Sequence, residues 1–342
     1  MTKLISVYIN GTDESANFYG AHVPIYTNKD GSRVTSLANL LHYMTIQDGK
    51  NQAICLDGCG INNQYLRDFG FIFTWNLESQ INILAEKIKF ETQTEQIILN
   101  VYGFSRGGAG AFLLAKKLSD VPAERLEINI LAFEPVPGNF VNNVYIDKAL
   151  GFDLTLSSEI SDLRSCKNIK RAHSIYNNIE TSYCFARILP ALPIKCEKSV
   201  DVVPGNHFYA QLFRIYQRTN GKYVIIPQNS ETVIEFHQVS RFLEKCGTRF
   251  DHEKLALHEH LTTKAPLKEI YRDYVCKIKK TKEIQRAMQF DNYIYSKPQG
   301  NKKYLNLFHQ EISGVAKNPK ECILSVKDSD PKPYFYKNRY IC

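Results

Sequence analysis

The sequence predicts an α/β fold, a mostly parallel sheet flanked by helices, and three observations predict it. Short β-branched runs alternate with helix-like stretches through the first 210 residues. A Gly-x-Ser-x-Gly stretch, Gly103 to Gly107, stands between an apolar run and a helix-forming run. A carboxylate and a histidine then follow at the ends of later apolar runs, in the order such a serine requires.

Taken in order, the expected strands are residues 4–9, 52–56, 71–75, 97–102, 128–133 and 199–203. Apolar residues at helical spacing lie between them, as in Leu37, Leu40, Leu41 and Met44, then Ile81, Leu84 and Ile88, then Phe112, Leu114 and Leu118. A further strand is expected at 223–226. The helix at 233–243 follows it, with Ser230 as its cap and Gly247 as its stop. Beyond Gly247 the composition turns to charged helical patterns, 255–261 and 267–288, and then to a tail rich in Lys, Tyr and Asn. The expected organisation is therefore a catalytic domain over 1–247 and a basic, mostly helical region over 248–342.

Composition narrows the classes. The 342 residues carry 44% hydrophobic and 23% charged side chains, which excludes collagen, coiled coil and a wholly disordered chain. No apolar run reaches the roughly 18 residues of a membrane span, and residues 1–12 lack the pattern of a signal peptide, so a soluble, cytoplasmic product is expected. Nine scattered cysteines without CxxC pairing encode neither a disulfide frame nor a zinc site, and reduced thiols are expected. His252, His258 and His260 make no convincing metal set, because the last two are off a common helical face. The net charge of +8 is uneven: residues 241–342 hold 21 Lys+Arg against 12 Asp+Glu, leaving 22 against 23 in the first 240. Such an excess points to a surface for phosphate-bearing partners, lipid headgroups or nucleic acid, or to a merely solvated helical face.

The chemistry centres on Ser105. A nucleophile placed on a tight strand-to-helix turn needs neighbours without bulky side chains, and Gly103 and Gly107 supply them. The helix beginning there places partial positive charge near the reacting oxygen, with the Arg106 N–H as an oxyanion donor. Serine needs a base and an orienting acid. Glu134, ahead of Pro135 to Gly138, and His207, after Pro204 to Asn206, fill those roles; Asp201 is the alternative acid. The backbone N–H groups of Gly11 and Thr12, in a turn after the first strand, are candidates for the second oxyanion donor, or else an ordinary turn. Cys55 and Cys59 read as buried thiols at a strand end. The Ser, acid, His chemistry requires no metal or organic cofactor.

With these residues in hand, the chain resembles the bacterial α/β-hydrolase family of uncharacterised-domain proteins with a GFSRG elbow that includes type VI secretion phospholipase effectors. The likeness spans roughly residues 4–210. It rests on Asn10-Gly11-Thr12, Asp57-Gly58-Cys59-Gly60, Gly103 to Gly108, Glu134 to Gly138 and Pro204 to His207, in that order. Three departures stand against it: Asn10 replaces an acid, Glu134 replaces Asp, and Phe208-Tyr209-Ala210 replaces a Gly-rich stretch. The resemblance implies an α/β-hydrolase-like fold and a serine esterase acting on lipid esters, a phospholipase in the first instance, with Ser105 as nucleophile and His207 as base. An anionic membrane is then the favoured partner of the basic region ahead of nucleic acid, and export as an effector without a cleavable signal becomes an alternative to a cytoplasmic location. A non-catalytic lipid- or protein-binding module, or an acyltransferase using the same triad, is the rival expectation.

Overall fold

The structure, a computed structural model, describes residues 2–12, 14–16, 26–27, 33–59, 76–137, 156–160, 162–177, 187–203, 207, 212–217, 223–228, 230–257, 294–296, 302–305 and 323–326. The expected strand at 71–75 and the helix at 267–288 lie outside these residues, as do His258 and His260.

The centre is a six-stranded sheet of β1 (Thr2–Ile9), β4 (Asn51–Leu56), β5 (Gln96–Phe104), β6 (Leu126–Phe133), β7 (Ile169–Asn177) and β9 (Glu197–Val203). Its order is β4-β1-β5-β6-β7-β9 and every pairing is parallel. Helices α1 (Leu37–Met44), α2 (Leu77–Thr92), α3 (Arg106–Lys117), α4 (Leu156–Ile160) and α5 (Ser230–Lys245) flank it. The chain is thus an α/β fold, as expected. Strands sandwiched this way are apolar on both faces, and their alternation separates two cores. Val7, Ile9, Leu99, Val101, Ile128 and Ile130 face α2, α3 and α4. Tyr8, Tyr102, Phe104, Leu131, Phe133 and Ile175 face α1 and α5.

That second face is also covered by a smaller sheet of order β12-β11-β10-β3-β2, which the sequence showed only at 223–226. Its strands are β2 (Tyr26–Thr27), β3 (Arg33–Ser36), β10 (Leu212–Gln217), β11 (Tyr223–Pro227) and β12 (Ala256–Leu257). β7 was likewise not expected. Residues 255–257, read as the start of a helix, instead lead into β12, which pairs in parallel with β11. Further strands, β8 (Arg187–Leu189), β13 (Ile294–Ser296), β14 (Lys302–Leu305) and β15 (Ile323–Val326), complete the described elements. Of the two helices expected past Gly247, the first thus holds β12, while β13, β14 and β15 fall in the expected tail.

The chain on either side of residue 247 packs against the sheet. Helix α5 ends as predicted at Gly247, whose φ of +98° a side chain would resist. The Gly247 N–H donates to the Glu244 carbonyl at 2.9 Å and the Thr248 N–H to the Leu243 carbonyl at 2.9 Å, the paired bonds that close a helix around a left-handed residue. The chain then stays in the domain. Asn100 Nδ2 in β5 donates to the Cys246 carbonyl at 3.0 Å and to Thr248 Oγ1 at 2.9 Å, and Ser6 Oγ lies 2.9 Å from the same hydroxyl. Phe250 and Leu255 are buried in the second core. Removing 248–257 would take the Thr248 hydroxyl from buried Asn100 and Ser6 and empty the places of Phe250 and Leu255, so these residues pack with the sheet.

This topology fixes where chemistry can occur. From β1 the chain moves outward to β4, then returns across β1 to β5, so the crossover direction reverses between β1 and β5. In open α/β sheets a crevice forms beyond the carboxyl ends of strands at such a reversal. The strand ends are level there, with Ile9 beside Leu56 and Gly103, Phe104 beside Phe133, Phe133 beside Ile175, and Ile175 beside Asp201.

Candidate active site

Ser105 follows β5 directly, at the reversal. Its φ of 54° and ψ of −120° lie in a region that a side chain rarely occupies, a strain typical of functional turns. Three backbone bonds hold it there: Ser105 N–H to the Phe133 carbonyl at 2.9 Å, and the Ala109 and Val136 N–H groups to the Ser105 carbonyl at 3.1 and 3.0 Å. As the residue preceding α3, Ser105 stands where a serine ordinarily caps the helix with its hydroxyl, yet it makes no such bond. The hydroxyl is instead 2.8 Å from His207 Nε2.

The glycines of the elbow are required by close approach. A Cβ on Gly103 would lie 2.1 Å from the Gly107 carbonyl oxygen, and one on Gly107 would lie 2.3 Å from that of Ile9 and 2.5 Å from that of Asn10. Helix α3 therefore rests on the backbone of β1. Gly107→Ala is expected to lower stability by about 3 kcal/mol, because backbone rather than a movable side chain must yield. Urea denaturation of the variant beside wild type measures this, and an unchanged midpoint would contradict the packing.

Glu134 follows β6 as Ser105 follows β5. Its N–H donates to the Ile175 carbonyl at 2.8 Å, its φ is 47°, and its Oε2 lies 3.2 Å from His207 Nδ1. Ser105, Glu134 and His207 are 2%, 0% and 4% exposed, so the relay is shielded from water. The structure thus brings together the three residues predicted from sequence. Asp201, the alternative acid, is a residue of β9 opposite Ile175; among the described side chains, the carboxylate at His207 is that of Glu134.

Phe104 was not singled out from the sequence, although it occupies the variable position before the serine. Its ring stacks on the His207 imidazole, with centroids 5.1 Å apart and planes at 29°, which restricts the ring to the plane that reaches both partners.

The oxyanion donors divide. The Arg106 N–H opens the first turn of α3, where no intrahelical carbonyl is in reach, and the helix N-terminus adds partial positive charge. Gly11 differs from expectation: its N–H donates to Glu14 Oε2 at 2.7 Å, so in this structure that donor is engaged by a carboxylate. Thr12 sits beside it with its hydroxyl 3.3 Å from Cys59 Sγ.

Asn10, the departure from the resembled motif, has a structural reason. It is fully buried; Nδ2 donates to Asn39 Oδ1 at 2.9 Å and to the Leu56 carbonyl at 3.1 Å, while Oδ1 accepts from Ser36 Oγ at 2.7 Å. A carboxylate could not donate those two bonds. The Asn10 amide thus joins β1 and β4 to the start of α1, where Ser36 Oγ accepts the Asn39 N–H at 3.2 Å. Asp57, in the second resembled motif, accepts from Ser15 Oγ at 3.1 Å and from the Ala16 N–H, bracing the loop after β1. Burial and the nearby Asp57 carboxylate push the Cys55 thiol up, and burial pushes Cys196 up to about 12 and Cys246 to about 11, in keeping with inert structural thiols. Among the described residues no three His, Cys, Asp or Glu side chains cluster as a metal site.

No family model and no curated protein matches the chain. Among solved structures, an uncharacterised protein from Pseudomonas aeruginosa is similar at 14% identity with a TM-score of 0.46, over 84% of this chain and 52% of that one. The chain spans about half the length of that neighbour.

Proposed function

We propose that the protein is a serine hydrolase of carboxylic esters, with lipid esters as the substrate class and Ser105 as the nucleophile. The observation that carries the reading is the buried chain of Glu134 Oε2, His207 and Ser105 Oγ, at 3.2 and 2.8 Å, on a serine held at positive φ. Glu134 accepts the Nδ1 proton and leaves the Nε2 lone pair for the Ser105 hydroxyl. Ser105 Oγ attacks the ester carbonyl while His207 takes its proton; His207 returns that proton to the departing alkoxide. Water, deprotonated by the same nitrogen, then releases the acid from the acyl-serine. The Arg106 N–H and the α3 N-terminus stabilise the oxyanion in both steps.

The rival, a binding module without catalysis, would have no need to hold a serine at strained φ with its hydroxyl turned from the cap position to an imidazole. Lipid specificity rests on the resemblance to the phospholipase-containing family. The experiment is labelling with a fluorophosphonate probe, followed by a panel of lipid esters read by mass spectrometry, with Ser105→Ala as the reference. Labelling at Ser105 and release of fatty acid support the reading, and a protein that neither labels nor hydrolyses any ester overturns it.

An anionic membrane surface is the proposed partner of the basic region. Lys277, Lys279, Lys280, Lys282 and Arg286 lie outside the described residues, and their positive charge is what an anionic surface would attract. Co-sedimentation with anionic vesicles is expected at low salt and should be lost at high salt. Equal binding to neutral vesicles, or none to anionic ones, would return this region to an ordinary solvated surface. Among the described residues no helix is long and apolar enough to cross a membrane.

A further inference from the structure

The loop after β1 carries a carboxylate at one of the two backbone donors expected to complete the oxyanion site. Gly11 lies against the elbow: a Cβ there would fall 2.6 Å from Phe104 Cδ1 and 3.2 Å from Glu14 Oε2. Phe104 in turn stacks on His207, which bonds Ser105, and the Ile9 and Asn10 carbonyls abut Gly107 in the first turn of α3. Gly11 is thus packed on the ring that stacks on His207, and its N–H has Glu14 Oε2 as partner at 2.7 Å, the distance at which an oxyanion would sit. We infer that Glu14 is a built-in stand-in for the oxyanion, holding the Gly11 N–H in the resting enzyme and withdrawing when substrate enters. The inference rests on the hydrolase reading and adds a control to that same site.

The surrounding bonds let the side chain move without the loop. The Glu14 N–H donates to the Gly11 carbonyl at 3.2 Å, and the Glu14 carbonyl accepts from the Gly58 N–H at 2.8 Å. Gly58 is locked in that place, since a Cβ on it would meet the Gly11 carbonyl oxygen at 1.6 Å. Ser15 and Ala16, bonded to Asp57, fix the next two residues. The main chain is therefore held from both sides, and freeing the donor moves the half-buried side chain and not the loop. A single N–H cannot serve the carboxylate and a tetrahedral oxyanion at once. A carboxylate that stayed would also repel the developing negative charge.

Glu14→Gln tests charge with shape preserved, because its amide oxygen can still accept the Gly11 N–H. Glu14→Ala removes the occupant. The rate of fluorophosphonate labelling at Ser105 and the turnover of a soluble short-chain ester are measured for both variants and wild type, beside their melting temperatures. Both variants are expected to label and turn over faster, on the order of 10-fold, a part of the effect that one oxyanion donor typically has. If Glu14 only shapes the turn, Gln will equal wild type and Ala will be slower, and the inference falls. Equal labelling by all three proteins overturns the inference alone and leaves the hydrolase reading standing. No labelling of any of the three, with all of them folded, overturns both.

Discussion

Ser105→Ala is expected to fold as wild type does and to lose ester turnover by about 10^4- to 10^6-fold. The two halves of this expectation have separate causes. Everything that keeps residue 105 in place is backbone: the bond to the Phe133 carbonyl, the two bonds accepted from Ala109 and Val136, and the glycines that let α3 rest on β1. Alanine keeps all of these and feels the positive φ as serine does. Among the described residues the bond lost is that to His207 Nε2 at 2.8 Å, worth about 1 kcal/mol. The melting temperature should therefore move by a few degrees at most. The rate loss follows because Ser105 carries the hydroxyl bonded to His207 Nε2, and what survives is the contribution of binding and the remaining oxyanion donors. Turnover and melting are measured on the same preparation. Wild-type turnover with unchanged melting would show that the triad does not carry the activity.

How much of this was legible in the sequence depended on whether a residue's role is expressed in its neighbours. Ser105 was legible because the elbow needs glycines on both sides of it in the chain, and Glu134 and His207 because each follows an apolar run. β7 was hidden because its residues Lys170, Arg171 and His173 look unlike a central strand. Their partners lie across strands: Lys170 and Arg171 pair with Glu127 of β6, Arg171 also with Glu197 of β9, and His173 Nδ1 lies 2.6 Å from Ser199 Oγ. The smaller sheet was hidden for a related reason. Residues 34–36 pair antiparallel with 212–214, and no local pattern announces a partner so distant in the chain. Likewise Asn100 holds the chain past Gly247, which composition alone had marked as a boundary. Glu14 and Phe104 act on the site through contacts with Gly11 and His207, and neither position carries a sequence signal of its own.

Glu134→Gln is expected to reduce kcat by about 10^3- to 10^4-fold with KM little changed, whereas Asp201→Asn should stay within a few-fold of wild type. Glu134 Oε2 lies 3.2 Å from His207 Nδ1 and is wholly buried, so its charge acts on the imidazole with little screening by water. With the carboxylate in place Nδ1 carries the proton, Nε2 can accept from Ser105, and the imidazolium formed during attack is stabilised. A glutamine allows two arrangements, both poor. If its oxygen accepts from Nδ1 the tautomer is right but the charge is gone. If its NH2 donates to Nδ1, the ring proton moves to Nε2, which can then no longer take the serine's proton. Neither arrangement alters where an ester would bind, which is why the loss falls on kcat. Glu134→Asp separates charge from reach: it keeps the carboxylate but is shorter by one methylene, so partial recovery relative to Gln is expected. Asp201 lies opposite Ile175 in β9, level with Phe133 and one residue short of the row where Ser105 and Glu134 follow their strands. Steady-state kinetics on the three variants decides the acid. A large kcat loss in Asp201→Asn with near wild-type rates in Glu134→Gln would move the acid role to β9, and recovery by Glu134→Asp would then have no explanation.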